Sequence, residues 1–355
     1  MKTIPAVGGG LAATGLTISN QTVLNQTMLK ITGNIPQDDA LPGLELLRNP
    51  ELFTRTLAPL LDNGCGPCRT LNVRVAKYRP GRRLTVELTV QAGEMQRTVY
   101  AKLYYNDRGK EIFETVDALR RVNNSHTLSI IKPLAYIESA RTLLLECATG
   151  TPLDILLGEN AASAEPVAQA ICQLHSLPPV SARIWTYDNE LKIVEGRLNE
   201  LQQALPELAT RTHTYRRTLE RALARLTAPE KLSNIHRDLY PKNALVNGTG
   251  SEAQVWLLDL DDMATGDPRI DIGNLLAEVE LEGLEGNRNL GAFKEWNRVF
   301  LSAYMRNNSA ILASEIGVFK SITFARNSGI NAVKENLRWT SGPLLAAAEK
   351  ALGRT

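Results

Sequence analysis

The residues best suited to chemistry are gathered in the stretch Asn234–Asn274. His236-Arg237-Asp238 is followed by Asn243 and a short apolar run, Ala244-Leu245-Val246. Asn247-Gly248 and Thr249-Gly250-Ser251 supply turn residues that tolerate positive φ. A second apolar run, Val255-Trp256-Leu257-Leu258, leads into Asp259-Leu260-Asp261-Asp262. Two strands joined by a turn run antiparallel, so the residue before the first lies beside the residue after the second. Asn243 and Asp259 therefore meet at one end of the hairpin, with Asp238 and Asp261 close by. Hard oxygen donors collected in this way suit Mg²⁺, which takes one or two carboxylates together with substrate phosphates. The competing explanation is three unrelated turn or cap residues, and the hairpin between them argues against it. The chemistry implied is phosphoryl transfer. It asks a protein for a cation to hold phosphates, for Mg²⁺ ligands and for a carboxylate to orient the attacking hydroxyl.

The elements that must position these groups read as follows. Residues 1–42 are rich in Gly, Thr, Asn and Gln and show no helical or strand period, which predicts an irregular arm. Leucines and Phe53 between Leu41 and Leu61 recur at roughly helical spacing, interrupted by Pro50 and Pro59, and predict two short helices. Val73–Tyr78, Leu84–Val90 and Arg97–Tyr105 read as an antiparallel meander, with a Pro-Gly turn between the first two and clean period-two alternation in the second. A helix over Glu111–Val122 and strands over Ile130–Ile137 and Thr142–Leu145 complete a five-stranded lobe. Glu146–Pro152 is a break. Beyond it the chain reads as helices around the hairpin: Pro166–Leu177, the charged amphipathic pair Leu191–Leu205 and Thr212–Leu226, and further helices from Ile272 to about Leu352. The expected division is an arm over 1–42, a nucleotide-binding lobe over 43–148, and a helical lobe over 149–355 carrying the catalytic loop and substrate-binding helices.

Bulk composition excludes several classes. The 355 residues suffice for two lobes, and 43% hydrophobic with 22% charged residues is ordinary for a globular protein. A net charge of +2 gives no drive toward nucleic acid or an anionic membrane. No apolar run is long enough to span a bilayer, and the first twenty residues lack a compact secretory core. Four cysteines are no disulfide framework, so a reducing cytoplasm is expected. Cys65-Gly66-Pro67-Cys68 precedes a strand and has no second ligand pair, which makes it a turn with two thiols. His126 and His213 read as surface residues, His175 as a packed residue near a helix C-terminus. The arginines from Arg211 to Arg225 read as a solvated helix face.

His-x-Asp-x4-Asn, an apolar strand and then Asp-x-Asp resembles the aminoglycoside phosphotransferase and choline kinase family, and more broadly the protein-kinase-like fold. Tyr78-Arg79-Pro80-Gly81-Arg82-Arg83, the strand lysine Lys102, Leu143-Leu144-Leu145-Glu146 before Gly150-Thr151-Pro152-Leu153, and Gly266-Asp267-Pro268-Arg269-Ile270-Asp271 look like bacterial members. The resemblance covers roughly Arg74–Ala277. It implies an α+β, bilobal fold with a small antiparallel β-rich N-lobe and a mainly helical C-lobe. It further implies ATP (or another NTP) and Mg²⁺, with a small-molecule hydroxyl as acceptor.

Residue roles follow from the same resemblance. Asp238 is the base that meets the acceptor hydroxyl. Asn243 and Asp259 are Mg²⁺ ligands, with Asp261 a second carboxylate. Lys102 pairs with the α- and β-phosphates and is oriented by Glu114, or by Glu111 one turn earlier. The backbone of Glu146–Ala148 meets the adenine, His236 steadies the loop, and Asp271 braces it. The Gly-x-Gly-x-x-Gly of protein kinases is absent. Arg82 and Arg83 in the first turn are either phosphate donors in place of backbone amides or a solvated basic turn. Asp267-Pro268-x-x-Asp271 follows the metal motif too closely for an activation segment, which disfavours a protein acceptor. A regulatory module that binds nucleotide without turnover is the alternative class.

Overall fold

A computed structural model describes residues 30–353 apart from 62–67, 93, 159–160, 288, 307 and 309–312. Most of the expected arm and Cys65 of the Cys-x-x-Cys lie outside the described residues. Lys30–Thr32 forms a strand, β1, followed by three short helices, α1 (Leu44–Arg48), α2 (Pro50–Thr56) and α3 (Ala58–Leu61). Asn49 caps α2, its side chain accepting from the amides of Glu51 and Leu52 at 3.1 Å each. The meander is β2 (Cys68–Arg79), β3 (Arg83–Ala92) and β4 (Met95–Tyr104), followed by α4 (Arg108–Val122).

In β3 the apolar residues Leu84, Val86, Leu88 and Val90 are buried, and in β4 so are Val99, Ala101 and Leu103. They pack with Leu44, Leu47, Phe53 and Leu57 from the short helices. Strand alternation then turns Lys102 to the opposite face of the sheet from Ala101 and Leu103. Lys102 pairs with Thr85, and Thr85 with Lys77, across adjacent strands. A register shift between Val75 and Lys77 lets Ala76 and Lys77 both border the same cavity.

The region expected as one strand over Ile130–Ile137 is two strands, β5 (Leu128–Ile130) and β6 (Pro133–Ile137), divided at Pro133. β6 pairs with β7 (Thr142–Glu146) and completes a six-stranded sheet in the order β1-β2-β3-β4-β7-β6, in which β1 adds a parallel edge. β5 leaves that sheet and pairs in parallel with the hairpin of the second lobe.

After β8 (Thr151–Pro152) come α5 (Leu153–Leu156), α6 (Ala164–Ser176), α7 (Tyr187–Ala204) and α8 (Ala209–Arg225). β9 (Ser233–Ile235) precedes the hairpin β10 (Ala244–Asn247) and β11 (Gln254–Leu257), which are antiparallel with Ala244 opposite Leu257. β12 (Ala264–Gly266) pairs back onto β9. Four helices finish the chain: α9 (Arg269–Asn287), α10 (Lys294–Arg306), α11 (Ala313–Ala332) and α12 (Ser341–Leu352). The fold is thus a mainly antiparallel sheet lobe joined to a helical lobe. One hydrophobic core runs through α4, β5, β11, α6 and α9 and joins the lobes. Among the described residues no helix is long and apolar enough to cross a membrane.

The helical lobe is held close by glycine at one crossing. A Cβ on Gly329 of α11 would stand 2.1 Å from the Arg197 carbonyl oxygen on α7. Gly196, one residue away on α7, has open space around it. Gly329→Ala should therefore lower stability by about 1–3 kcal/mol, the cost of an overpacked contact. Gly196→Ala should raise it by about 0.5–1 kcal/mol, the ordinary gain for a helical glycine. Urea unfolding reads both: the midpoints move in opposite directions with an unchanged denaturant slope.

Candidate active site

β4 and β11 bring charged groups from the two lobes together. Asp259, directly beyond β11, adopts φ 55° and ψ 50°, a left-handed backbone that turns the chain sharply after the strand. Lys102 Nζ donates to Asp259 Oδ1 at 2.6 Å and to Asp261 Oδ1. Arg83 pairs with Asp261 and stands 3.7 Å from Asp259. Tyr104 donates its hydroxyl to Asp261 at 2.9 Å. Lys77 lies 3.8 Å from Asp259. Burial alone would raise the Asp259 pKa, yet the charges of Lys102, Arg83 and Lys77 outweigh it and hold the carboxyl well below the usual range. Burial likewise works against the Lys102 ammonium, and Asp261 and Asp259 reverse that and raise its pKa.

Glu114 and Glu111 are not the partners of Lys102. Both are exposed on α4. The cavity face of that helix is apolar, formed by Ile112 and Val116, so its acids fall on the solvent side. The carboxylates that meet Lys102 come instead from the second lobe. Arg83 lies inside this cluster, whereas Arg82 is exposed at the turn, its amide bonded to the Arg79 carbonyl at 3.0 Å. Asp261 is wholly engaged with Lys102, Arg83 and Tyr104, which makes it an anchor for cations.

A cavity of about 400 Å³ opens over this cluster. Its apolar walls include Ala76, Ile131, Leu145, Leu245 and Leu257, and Ala148 borders it. The Glu146 amide is used within the sheet, donating to the Lys132 carbonyl at 3.0 Å. Asn243 and Asp259 lie at the polar end. Asn243 Nδ2 donates to the Asp238 carbonyl at 2.8 Å, which leaves Oδ1 as its available donor atom for a cation. Among the described residues no group of three or more His, Cys, Asp and Glu side chains forms a metal cluster. An amide oxygen and a carboxylate, both hard donors, fit a magnesium ion that draws its remaining ligands from phosphate and water.

The loop from His236 to Asn243 is fixed from below by Asp271, which has no solvent exposure. Its Oδ2 accepts the His236 amide at 2.6 Å and faces His175 Nε2 at 3.1 Å, and its Oδ1 accepts the Arg237 amide at 2.8 Å. His175 in turn meets the Tyr304 hydroxyl through Nδ1 at 2.8 Å. His236 donates from Nε2 to the Leu258 carbonyl at 2.7 Å and accepts the Asp238 amide on Nδ1 at 3.3 Å. One imidazole thus ties the loop to the strand that carries Asp259. Among the described residues the Asp238 carboxylate has no hydrogen-bonding or ion-pair partner.

Asp238 borders a second cavity of about 470 Å³ together with Arg237, Asp262, Glu278, Glu282 and Arg326. Tyr240 lines both cavities, and its hydroxyl is pushed up to about 12 by burial and by the charges of Asp238 and Asp259. The polar wall comes from α9. Asp271, Asn274, Glu278 and Glu282 recur at steps of three and four, one face of a helix. Asn274 Nδ2 donates to the Leu239 carbonyl at 2.7 Å and supports the loop alongside Asp271. Asp271 is marked by the sequence motif it belongs to, whereas Asn274, Glu278 and Glu282 follow it at helical spacing without a motif of their own. Lys77 and Tyr104 left no comparable local signal, since only strand pairing brings them to the site.

A family model described as the phosphotransferase enzyme family matches residues 82–304. The chain belongs to that family. This phosphotransferase has the fold of several solved kinases. A choline/ethanolamine kinase family protein from Mesorhizobium loti is 14% identical over 86% of this chain and 96% of its own, with a TM-score of 0.53. An ethanolamine kinase from Plasmodium vivax is 12% identical over 88% and 86%, at 0.52. An aminoglycoside phosphotransferase in ternary complex with AMP-PNP and hygromycin B is 13% identical over 84% and 98%, at 0.57. No curated protein matches the chain.

Asp271→Asn tests the brace. The buried carboxylate accepts two loop amides and faces His175, so its neutralisation should cost the phosphotransferase about 2–4 kcal/mol at pH 7. Burial opposes ionisation of Asp271, but His175, His236 and the loop amide lower its pKa below 3.8. Its contribution is then fully present above about pH 3.8 and lost as pH falls through the lower folded value. Urea titrations should show the gap between wild type and variant at pH 5–7 and its narrowing below pH 4.

Proposed function

We propose that the protein transfers the γ-phosphate of ATP to a hydroxyl of a small molecule with Mg²⁺ as cofactor. The observation that carries this reading is the meeting of two cavities at Tyr240. The first holds Lys102, Asn243 and Asp259, and the second receives the free carboxylate of Asp238. The two are joined through Asn243, whose side chain bonds the Asp238 backbone.

The roles of the chain's residues follow. The apolar walls around Ala76, Leu145, Leu245 and Leu257 receive the base of the nucleotide, and Ala148 supplies backbone at the rim. Lys102 uses two of its three N–H groups on Asp259 and Asp261 and retains one for a phosphate oxygen. Arg83 and Lys77 add positive charge beside it, in the place a glycine-rich loop fills in protein kinases. Asn243 and Asp259 would hold the magnesium ion, which would supply charge neutralisation at the transferred group. Asp238 orients the acceptor hydroxyl and takes its proton. His236 holds the Asp238 amide and Asp271 the amides of the two residues before it, so the carboxylate is set before substrate arrives. Cytoplasmic location belongs to the same reading.

Mg-ATP should raise the melting midpoint at millimolar concentration, since it binds the folded state alone. Asp238→Asn should keep that shift and lower kcat by about 10²–10⁴-fold across a panel of hydroxylated acceptors, the usual range for a lost general base. An absent nucleotide shift would overturn the reading, and equal turnover in wild type and variant would remove Asp238 from the mechanism.

A further inference from the structure

Three arginines from separate parts of the chain converge on one carboxylate. Arg108 at the start of α4 donates to Asp262 Oδ1 at 2.8 Å and to the Asp261 carbonyl at 2.7 Å. Arg183, ahead of α7, stands 3.6 Å from the same Asp262 oxygen, and Arg237 stands 4.0 Å from it. The guanidinium groups of Arg237 and Arg183 both lie over the Trp185 ring, at 3.1 and 5.1 Å from its centre. Three positive charges thus share one acid, and the Asp262 side chain is 51% exposed.

The neighbouring carboxylates are committed elsewhere. Glu190 accepts from Trp185 Nε1 at 2.6 Å, and Asp271 is filled by His175 and the loop amides. The Arg237 side chain is 9% exposed, and its Nε has no hydrogen-bond partner. Burial and the charge of Arg183 push its pKa down to about 10. Asp262, Glu190 and Asp271 offset this only in part, and Asp262, 4.0 Å from Arg237, is shared with Arg183 and Arg108.

Arg237 and Asp262 line the second cavity beside Asp238, and Arg183 and Arg108 reach that rim through Asp262. Two of the α9 acids that line this cavity have cation partners, and the third, Glu285, accepts from the Asn331 side chain. Glu278 is 3.5 Å from Arg326, and Glu282 is 3.4 Å from Lys242. At the rim next to Asp238, by contrast, three arginines share the single carboxylate of Asp262.

We infer that Arg237, Arg183 and Arg108 bind an anionic group, phosphate or carboxylate, carried by the same small molecule whose hydroxyl reaches Asp238. The inference rests on the phosphotransfer reading and names the acceptor class: a hydroxylated anion such as a sugar phosphate or a hydroxy acid. Planar guanidinium forks suit both oxyanions, and Asp262 is exposed enough to swing aside when one enters.

The test keeps the two readings apart. The melting shift with Mg-AMP-PNP is measured first and judges nucleotide binding alone. With that complex saturated, so that Lys102 and Arg83 are occupied, inorganic phosphate and acetate are titrated at constant ionic strength. A further rise in midpoint is expected in wild type and in Arg216→Ala, whose guanidinium pairs with Glu195 and Glu220 on a distant helix face. The rise should vanish in Arg183→Ala and in Arg108→Ala. No rise up to tens of millimolar of either anion, or an equal rise in Arg183→Ala, overturns the inference. Matched acceptor pairs then assign the group to the acceptor: a sugar against its phosphate, and a hydroxy-amine against the corresponding hydroxy acid. The anionic member should give the higher kcat/KM, with KM raised about ten- to hundredfold in Arg183→Ala, the scale of one charged hydrogen bond. Whether the phosphate or the carboxylate pair responds identifies the oxyanion. Neutral or cationic members used as well as the anionic ones overturn the assignment even if phosphate binds.

Discussion

A buried ammonium has to be compensated, and the site is arranged around that requirement. Lys102 is 7% exposed and belongs to the sheet lobe, while its two carboxylates, Asp259 and Asp261, belong to the helical lobe. Neither side is tolerable alone in a low-dielectric setting. Removing the acids would leave Lys102, Arg83 and Lys77 facing one another, and removing the cations would leave two adjacent aspartates unpaired. The ion pairs therefore set the separation of the lobes as well as the charge of the cavity between them. Tyr104 and Arg108 add bonds to the same two-residue stretch, Asp261 and Asp262, so most of the polar contact between the lobes is concentrated at the hairpin's exit.

The remainder of the helical lobe keeps that exit and the loop from His236 to Asn243 in register. His236 connects the loop to Leu258, and Asp271 takes the loop amides. Asn274, one turn along α9, holds Leu239. Each of these bonds is made by a fully or nearly fully buried group, which confines the loop to one conformation. The free carboxylate of Asp238 stands out against this background because the loop backbone around it is held by His236, Asp271 and Asn274. A rigid loop that presents one unpaired acid into a cavity is suited to capturing a hydroxyl, as the proposed transfer requires.

Much of this was legible in the sequence where short-range pattern carries the information. Period-two alternation marked β3, turn residues marked the hairpin, and the hairpin's own geometry brought Asn243 and Asp259 together. The bilobal fold followed from a strand-rich first half and a helical second half. Long-range choices were not legible in the same way. Lys102 meets aspartates more than 150 residues away rather than an acid on the next helix, because the cavity face of α4 is filled by Ile112 and Val116. Ile130–Ile137 read as one apolar run, yet Pro133 splits it between two sheets. Lys30–Thr32 has no pattern of its own and becomes a strand only because the edge of β2 is available. The polar stripe of α9 was present in the residue spacing, and only its direction required the fold.

The central claim is that the ionic cluster at the end of the hairpin is where magnesium-bound phosphates sit. Titration calorimetry of ATP, with and without Mg²⁺, on wild type and Asp259→Asn tests it most directly. Mg²⁺ should tighten ATP binding at least tenfold in wild type and have little effect in the variant, while magnesium-free affinity is retained or improved as a negative charge leaves the phosphate site. An undiminished magnesium effect in Asp259→Asn would contradict the claim.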